Sequence, residues 1–130
     1  GMELRPAIVG ADPEATVLGT LPDGSPGLLV RRYPTWTAVW SAAPTLPQPL
    51  LARLADLAGV HRYTDSPDVV WANGGLLALN VDAGGPRTLR LPRAARVTDL
   101  FTGERVGDRL TEWSVDLPAA GTALYRVDYR

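Results

Sequence analysis

The sequence predicts a mainly β protein, an antiparallel β-sandwich with one amphipathic helix, at about residues 46–58, packed on it. Two observations lead to this class. Short runs that alternate apolar and polar residues recur along most of the chain, and turn signals separate them about every 8–12 residues, as in sandwiches and barrels. One stretch instead carries its leucines at helical spacing. We expect a single domain over residues 1–130, with a meander and the helix over 12–60 and the sandwich strands over 61–130.

The predicted helix has a recognisable start and end. Thr45 is placed to cap the first turn, and Gln48 three residues later completes a capping-box pattern. Gly59 stands where a left-handed residue is expected after a helix C-terminus. A helix with one apolar stripe needs a sheet to cover that stripe, so we expect its apolar side chains to be buried. The stripe consists of Leu50, Leu54, Leu57 and Ala58, with Leu51 beside them.

Three strands with short connections precede the helix, at residues 15–21, 27–33 and 36–42. The turn between the first two is Pro22-Asp23-Gly24, in which proline presets one dihedral angle and the Asp-Gly pair tolerates the left-handed conformation. This pattern predicts an antiparallel meander. Residues 7–10 have a weaker strand signal, and an edge strand there would suit self-association.

After the helix the pattern is entirely that of strands. Asn73-Gly74-Gly75 predicts a tight hairpin turn, and residues 101–104 predict another turn. Pro92 is expected to end a strand because proline has no N–H to donate. The predicted strands lie at residues 69–73, 76–81, 87–91, 96–100, 105–106, 112–117 and 122–129.

The composition excludes several classes of function. A net charge of −1 gives no electrostatic reason to expect a nucleic acid or a membrane surface as partner. A chain without cysteine has no disulfide and no thiolate chemistry. No apolar run approaches the roughly 20 residues of a membrane-spanning helix, and the N-terminus lacks the layout of a signal peptide. We expect a soluble protein, with the cytoplasm favoured as its compartment.

Four runs of sequence resemble the C-terminal region of bacterial β-galactosidase-like glycoside hydrolases of family 42 and their relatives. They are LLARLADLAGVHRY, DVVWANGGLLALNV, TLRLPRAARVTDLFTGERV and TALYRV. In that family a catalytic barrel is followed by an amidotransferase-like domain and then by a small antiparallel β-sandwich. Residues 58–63 resemble the end of the amidotransferase-like domain, and residues 91–104 resemble the sandwich.

The resemblance implies a non-catalytic accessory C-terminal domain with a structural or assembly role. The catalytic barrel and its two glutamates have no counterpart in this sequence, so no catalytic residue carries over. The implied partner is a catalytic domain or subunit of a glycoside hydrolase, or a second copy of this chain. We therefore predict that this chain is not an enzyme by itself.

The residues themselves also favour a protein without catalysis. His61 is the single histidine, and a histidine after a helix C-terminus is favoured there as a cation, so we predict no metal site and no cofactor. A glycosidase needs two carboxyl groups about 5–10 Å apart that flank the scissile bond. A self-contained small hydrolase is therefore a further alternative that rests on isolated carboxylates alone. The nominal pairs are Asp65 with Asp68, Asp99 with Glu104, and Glu112 with Asp116.

Four side chains form a candidate carbohydrate-binding set, Trp36, Trp40, Trp71 and Asn73. Trp36 and Trp40 lie four apart on one predicted strand, hence on one face, where they can stack on the C–H face of a sugar ring. Trp71 and Asn73 share a face of another strand, and the asparagine amide adds hydrogen bonds. The alternative is that these tryptophans form the core beneath the helix leucines, since a tryptophan buries about 150–250 Å² and the chain has a single phenylalanine. Exposure of the indole rings discriminates between a sugar-binding surface and a core.

Overall fold

The computed structural model describes residues 8–129 and confirms a mainly β protein with antiparallel sheets and one short helix. The chain divides into two compact units, with the boundary between Leu51 and Ala52. Unit 1, the N-terminal one, has a sheet of three strands, and unit 2 has a sheet of five. A single domain over residues 1–130 stays a prediction. Within the described range no helix is long and apolar enough to cross a bilayer.

Unit 1 contains the predicted meander. The turn between its first two strands has Gly24 at φ 85°, and the Asp23 carboxylate accepts the Ser25 N–H, as the Asp-Gly signal predicts. The edge strand predicted at residues 7–10 is wrong where it can be checked, since residues 8–10 belong to no strand and residue 7 lies outside the described range. Three strands pair antiparallel in sequence order, namely β1 (Thr16–Thr20), β2 (Pro26–Arg32) and β3 (Thr37–Ser41).

The helix in the described part of the chain, α1 (Gln48–Leu57), lies within the predicted range. The hydrogen bonds of its first turn begin at Pro47, whose carbonyl accepts the N–H of Leu50 at 2.9 Å. Its end has the predicted geometry. Gly59 adopts φ 68°, and the N–H of Val60 closes back on the carbonyl of Ala55 at 2.9 Å.

The apolar stripe of α1 is less covered than its sequence predicts. No residue of α1 is buried. Leu50 and Leu54 are half-buried, whereas Leu57 is 58% exposed. The expectation of buried leucines is therefore wrong, because helical spacing marks an apolar stripe but does not determine how much of it is covered.

Unit 2 contains the strands β4 (Val69–Asn73), β5 (Leu76–Asn80), β6 (Gly85–Asp99), β7 (Arg105–Leu117) and β8 (Thr122–Tyr129). They form an antiparallel sheet in the order β4-β5-β8-β6-β7. The predicted β4–β5 hairpin is confirmed, with Gly74 and Gly75 both at positive φ as this tight turn requires. Two pairs of predicted short strands are in fact continuous, and they form the long strands β6 and β7.

Pro92 lies inside β6 instead of ending a strand, which corrects the prediction. The pairing of β6 with β7 is regular up to Arg90 and resumes at Ala95. The residue without an N–H therefore falls where the ladder is interrupted, and it costs no hydrogen bond. Beyond this point β6 acquires β8 as a second neighbour, beginning with the pair Ala95 and Tyr129. β6 thus pairs with β7 alone in its first half and with both β7 and β8 in its second half.

This change of pairing lets unit 2 build a core between facing layers. Trp113 on β7 packs edge-on against Tyr125 on β8, with ring centroids 5.2 Å apart and planes at 83°, although β7 and β8 are not neighbours in the sheet. Buried residues alternate with outward ones along β5 and β8, which is why the apolar pattern there predicts strands. The core consists of Leu77, Leu79, Val81, Leu89, Leu91, Ala95, Val97, Trp113, Ala123, Tyr125 and Val127.

Candidate functional site

The four residues of the predicted carbohydrate-binding set fall into two groups. Trp36 and Trp40 belong to unit 1, just before and within β3, and Trp71 and Asn73 belong to β4 of unit 2. Trp36 is 58% exposed and Trp71 is 71% exposed. The interpretation of Trp36 and Trp71 as core residues is therefore wrong, whereas Trp40 is half-buried. The buried tryptophan is Trp113, which packs with leucines and valines in the core of unit 2. Sugar binding by the set stays a prediction.

The β2–β3 pairing places Trp36 and Trp40 on one face of the unit 1 sheet. Leu29 lies opposite Trp40. At the other end of the hairpin, the Tyr33 N–H donates to the Trp36 carbonyl at 2.8 Å. Residues two apart on a strand share a face. One face, which we call the aromatic face, therefore carries Leu29, Arg31, Tyr33, Trp36, Ala38 and Trp40.

The exposed end of the aromatic face is a stack of two rings. Tyr33 and Trp36 lie parallel, with centroids 4.1 Å apart and planes at 9°. The guanidinium carbon of Arg31 lies 4.8 Å from the centre of the Tyr33 ring, within range of a cation–π interaction. Because Tyr33 covers one side of the indole, the exposed part of Trp36 is its other side and its edges.

Two carboxylates hold Arg31 beside the stack. Its guanidinium donates to Asp12 at 2.7 Å and also to Glu14, and both acids precede β1. The hydrogen bond from Arg31, followed by one from the Glu14 backbone, holds the pKa of Asp12 below its usual value. Asp12 is therefore ionised at neutral pH. Two carboxylates and one guanidinium give this cluster a formal charge of −1.

A shallow concavity of about 110 Å³ opens on the aromatic face. Asp12, Arg31, Ala38 and Trp40 contribute to its lining. It is smaller than the roughly 300–1,000 Å³ of typical small-molecule sites, and it suits a ligand of which one ring lies on an open surface. Sequence reasoning missed Arg31 and Asp12 as members of this site. The alternation that places Arg31 on the same face as Tyr33 was the signal for the arginine.

The second group lies on an outward face of unit 2. Trp71 is opposite Ala78, and Asn73 is opposite Leu76, across the β4–β5 pairing. Leu76 is 50% exposed and Val69 is 51% exposed. No member of this group is charged, and β4 is a terminal strand in the sheet order. We call the group the β4 surface, and it consists of Val69, Trp71, Asn73, Leu76 and Ala78.

Several titratable groups of unit 2 have structural partners. His61 is exposed, and its Nε2 lies 3.1 Å from the carbonyl oxygen of Arg90. Asp65 and Glu112 both accept hydrogen bonds from the Arg90 guanidinium. Asp99 accepts two backbone N–H groups in the turn between β6 and β7. Across residues 8–129, no cluster of three or more histidine or acidic side chains is arranged to hold a metal ion.

Asp68 is the least exposed carboxylate among the ion pairs of residues 8–129. Its side chain is 6% exposed and accepts hydrogen bonds from the Arg87 guanidinium, at 2.5 Å, and from the Ser66 hydroxyl. Arg87 also donates to the Ala83 carbonyl at 2.7 Å, so the pair ties the loop before β4 to the start of β6. The hydrogen bond from Arg87 lowers the pKa of Asp68. A general acid needs the opposite, a carboxyl group that stays protonated near the working pH.

Comparison with known proteins gives a fold relationship. No protein-family model matches the chain, and no curated protein matches it significantly. Among solved structures, the β-galactosidase from Bacillus circulans sp. alkalophilus is similar, with a TM-score of 0.55 and 22% sequence identity. The match covers 87% of this chain and 18% of the β-galactosidase, so this chain spans less than a fifth of that protein's length. At this identity the likeness is one of fold.

Proposed function

We propose that this chain is a non-catalytic accessory C-terminal domain of a glycoside-hydrolase-like protein, in which it has a structural or assembly role. The observation that carries the proposal is the fold likeness, in which 87% of this chain matches 18% of a β-galactosidase. A domain that corresponds to a small part of a large enzyme needs no catalytic centre of its own. Its proposed partner is the catalytic domain or subunit of the same protein.

The positions of the carboxylates support the proposal that the chain is not an enzyme. In a glycosidase, one carboxyl group protonates the leaving group while the other attacks or activates water. Asp68 is instead held ionised against Arg87, and Asp65 and Glu112 share the guanidinium of Arg90. For Asp68 the arginine favours the charged form, whereas the acid of a glycosidase must carry a proton. Asp65 and Glu112 are partners of an arginine within the fold.

The β4 surface supports the assembly role. Its three large apolar members, Val69, Trp71 and Leu76, are about half exposed or more. β4 is a terminal strand with no charged residue, proline or bulge to discourage pairing. Exposed apolar surface of this kind marks contacts with other protein surfaces. We propose that the catalytic domain of the same protein covers the β4 surface.

We expect the substitution Trp71→Ser to weaken self-association of the chain while leaving its stability nearly unchanged. Since the indole is 71% exposed, the free energy of unfolding should change by less than about 0.5 kcal/mol. Without its catalytic domain, the wild-type chain should associate weakly with itself through the uncovered surface, and the variant should associate less. Urea unfolding and sedimentation velocity over a range of protein concentrations measure the two effects.

The matched control for this experiment is Phe101→Ser. Phe101 is 65% exposed and lies in the turn between β6 and β7, outside the residues that make up the β4 surface, so its replacement should leave association unchanged. A loss of more than about 2 kcal/mol in Trp71→Ser would make this residue part of the chain's own core. A wild-type chain that stays monomeric at all concentrations would also contradict the role of the β4 surface.

A second candidate function is carbohydrate binding at the aromatic face. The parallel stack of Tyr33 on the exposed Trp36 favours it, because a flat, supported ring is the surface on which a sugar stacks. Galactosides are the first ligands to test, given the β-galactosidase with a similar fold. A saturable change of tryptophan emission on addition of a galactoside supports this function, and its absence contradicts it.

A further inference from the structure

A β-bulge in the β6–β7 hairpin places two residues of β7 opposite one residue of β6. Between the pairs that Ala95 and Val97 make with β7, the only residue of β6 is Arg96. The same stretch of β7 has two residues, Asp108 and Arg109. Arg109 adopts φ 57°, a left-handed conformation that is unusual for a bulky side chain. Strained backbone of this kind clusters at ligand-binding positions, which makes the surroundings of Arg109 a candidate site.

A concavity of about 480 Å³, which we call the bulge concavity, opens at this point of unit 2. Its volume lies within the roughly 300–1,000 Å³ of typical small-molecule sites. Its charged lining residues are Arg96, Asp108, Arg109 and Asp128, and Asp128 pairs with Arg96 across the β6–β8 ladder. Successive residues of a regular strand point to opposite faces. The bulge is therefore what brings both Asp108 and Arg109 to one concavity.

Both aspartates of the bulge concavity have arginine partners. Asp108 accepts a hydrogen bond from Nε of Arg96 at 2.6 Å and another from Arg105 at 3.1 Å. The hydrogen bond from Arg96 holds the pKa of Asp108 below its usual value. Asp128 is paired with Arg126 at 3.3 Å. Because arginines neutralise these carboxylates, they repel an anion less than unpaired carboxylates would.

Two guanidiniums of the concavity have donors for a further acceptor. Within residues 8–129, Arg96 donates through Nε alone, which leaves its terminal N–H groups for other acceptors. Arg109 takes part in none of the ion pairs around the concavity. With the arginine partners of both aspartates included, four guanidiniums and two carboxylates give the site a formal charge of +2. The whole chain carries −1, so the concavity is a positive patch on a slightly negative protein.

We propose that the bulge concavity binds the oxyanion of a small ligand, a carboxylate or a phosphate group, through Arg96 and Arg109. A planar guanidinium donates two parallel hydrogen bonds to either kind of oxyanion. Since the concavity is open and its lining is mostly charged, attraction between charges supplies the affinity, and binding is weak and sensitive to salt. This inference goes beyond the proposed accessory role, because the residues of the concavity belong to neither the aromatic face nor the β4 surface.

The experiment titrates inorganic phosphate, and separately acetate, into the ¹⁵N-labelled full chain at low salt and follows the backbone amides by two-dimensional NMR. The amides of residues 94–96 and 108–110 should shift together and saturate, with a Kd of about 1–10 mM. Addition of about 0.3 M sodium chloride should weaken binding about threefold or more, because the charges are screened. Tighter binding of phosphate would indicate a phosphorylated ligand, and tighter binding of acetate a carboxylated one; either result supports the proposal.

Two substitutions of Arg109 and one control locate the site. Arg109→Gln should weaken binding about fivefold or more, since it removes a charged donor. Arg109→Gly should weaken binding as much without lowering the melting temperature, because glycine adopts a positive φ without strain. The control is Arg53→Gln, which makes the same change of charge at an exposed residue of α1 outside the concavity. It should bind both anions as the wild type does.

Three results would overturn the proposal. The first is the absence of saturable shifts with both anions. The second is an equal loss of binding in Arg53→Gln and Arg109→Gln, which would show that the anions respond only to the overall charge of the chain. The third is unchanged binding in Arg109→Gly together with a lower melting temperature, which would make Arg109 a residue that the fold keeps for stability.

Discussion

Replacing Leu79 by alanine is expected to lower the free energy of unfolding by about 2–5 kcal/mol. Leu79 is 0% exposed and belongs to the core of unit 2. The truncation removes buried apolar area, and the close-packed side chains around it cannot fully close the cavity that remains. Urea unfolding followed by near-ultraviolet circular dichroism measures the loss, since Trp113 and Tyr125 report on the same core.

The matched control is Leu76→Ala, on the same strand and with the same change of side chain. Leu76 is 50% exposed and points to the outward face, so its truncation should cost less than about 1 kcal/mol. If both variants lost the same stability, the assignment of inward and outward faces on β5 would be wrong. A shift of register by one residue would exchange the two faces.

Replacing Asp68 by asparagine is expected to lower the melting temperature at neutral pH by about 5 °C or more. The substitution removes the charge that Arg87 neutralises at a side chain that is only 6% exposed, and it loosens the attachment of the loop before β4. Thermal unfolding followed by circular dichroism measures the loss. The control is Asp128→Asn, whose ion pair with Arg126 is about half exposed and should contribute little.

The effect of Asp68→Asn should depend on pH in a defined direction. The hydrogen bond from Arg87 lowers the pKa of Asp68 in the folded protein, so the carboxylate contributes stability that is fully present above its unfolded pKa, about pH 4. This contribution is lost as the pH falls below that value, through the folded pKa. The difference in melting temperature between wild type and variant should therefore be constant at pH 5–7 and shrink toward about pH 3. An undiminished difference at low pH would show that the charge of Asp68 is not the cause.

The strands could be predicted from the sequence because their signals are local. Leu77 and Leu79 alternate with exposed neighbours, and Gly74-Gly75 marks its own turn. Pro92 was misinterpreted because its effect depends on the partner strand. A proline ends a strand when it breaks a ladder hydrogen bond, but at the interruption between β6 and β7 there is no such bond to break.

The helix shows the same difference between local features, which are predictable, and contacts with other parts of the chain, which are not. Gly59 and the backbone hydrogen bond of Val60 are set by the chain within one turn, so the end of α1 was predictable. The burial of its leucines depends on which surfaces cover the stripe, and spacing along one helix carries no information on that. Trp36 is a second case in which the sequence does not determine burial. Its apolar side chain fits a core position, yet the structure leaves it exposed.

The candidate site was predictable only in part. The spacing of Trp36 and Trp40 placed both on one face, and the β2–β3 pairing agrees. The contact of Arg31 with Asp12 joins residues 19 apart in sequence, one on a strand and one in the segment before β1. A contact between residues so far apart leaves no periodic pattern in the sequence, because the path of the whole meander determines which residues meet.

The most direct test of the proposed accessory role is the hydrolysis of chromogenic glycosides by the purified chain. With 4-nitrophenyl β-D-galactopyranoside and related glycosides, at about pH 4–8, we expect no release of nitrophenol above the rate in buffer. Saturable release that is lost in Asp65→Asn or Glu112→Gln would contradict the proposal, because it would assign catalysis to carboxylates that the fold uses as partners of Arg90.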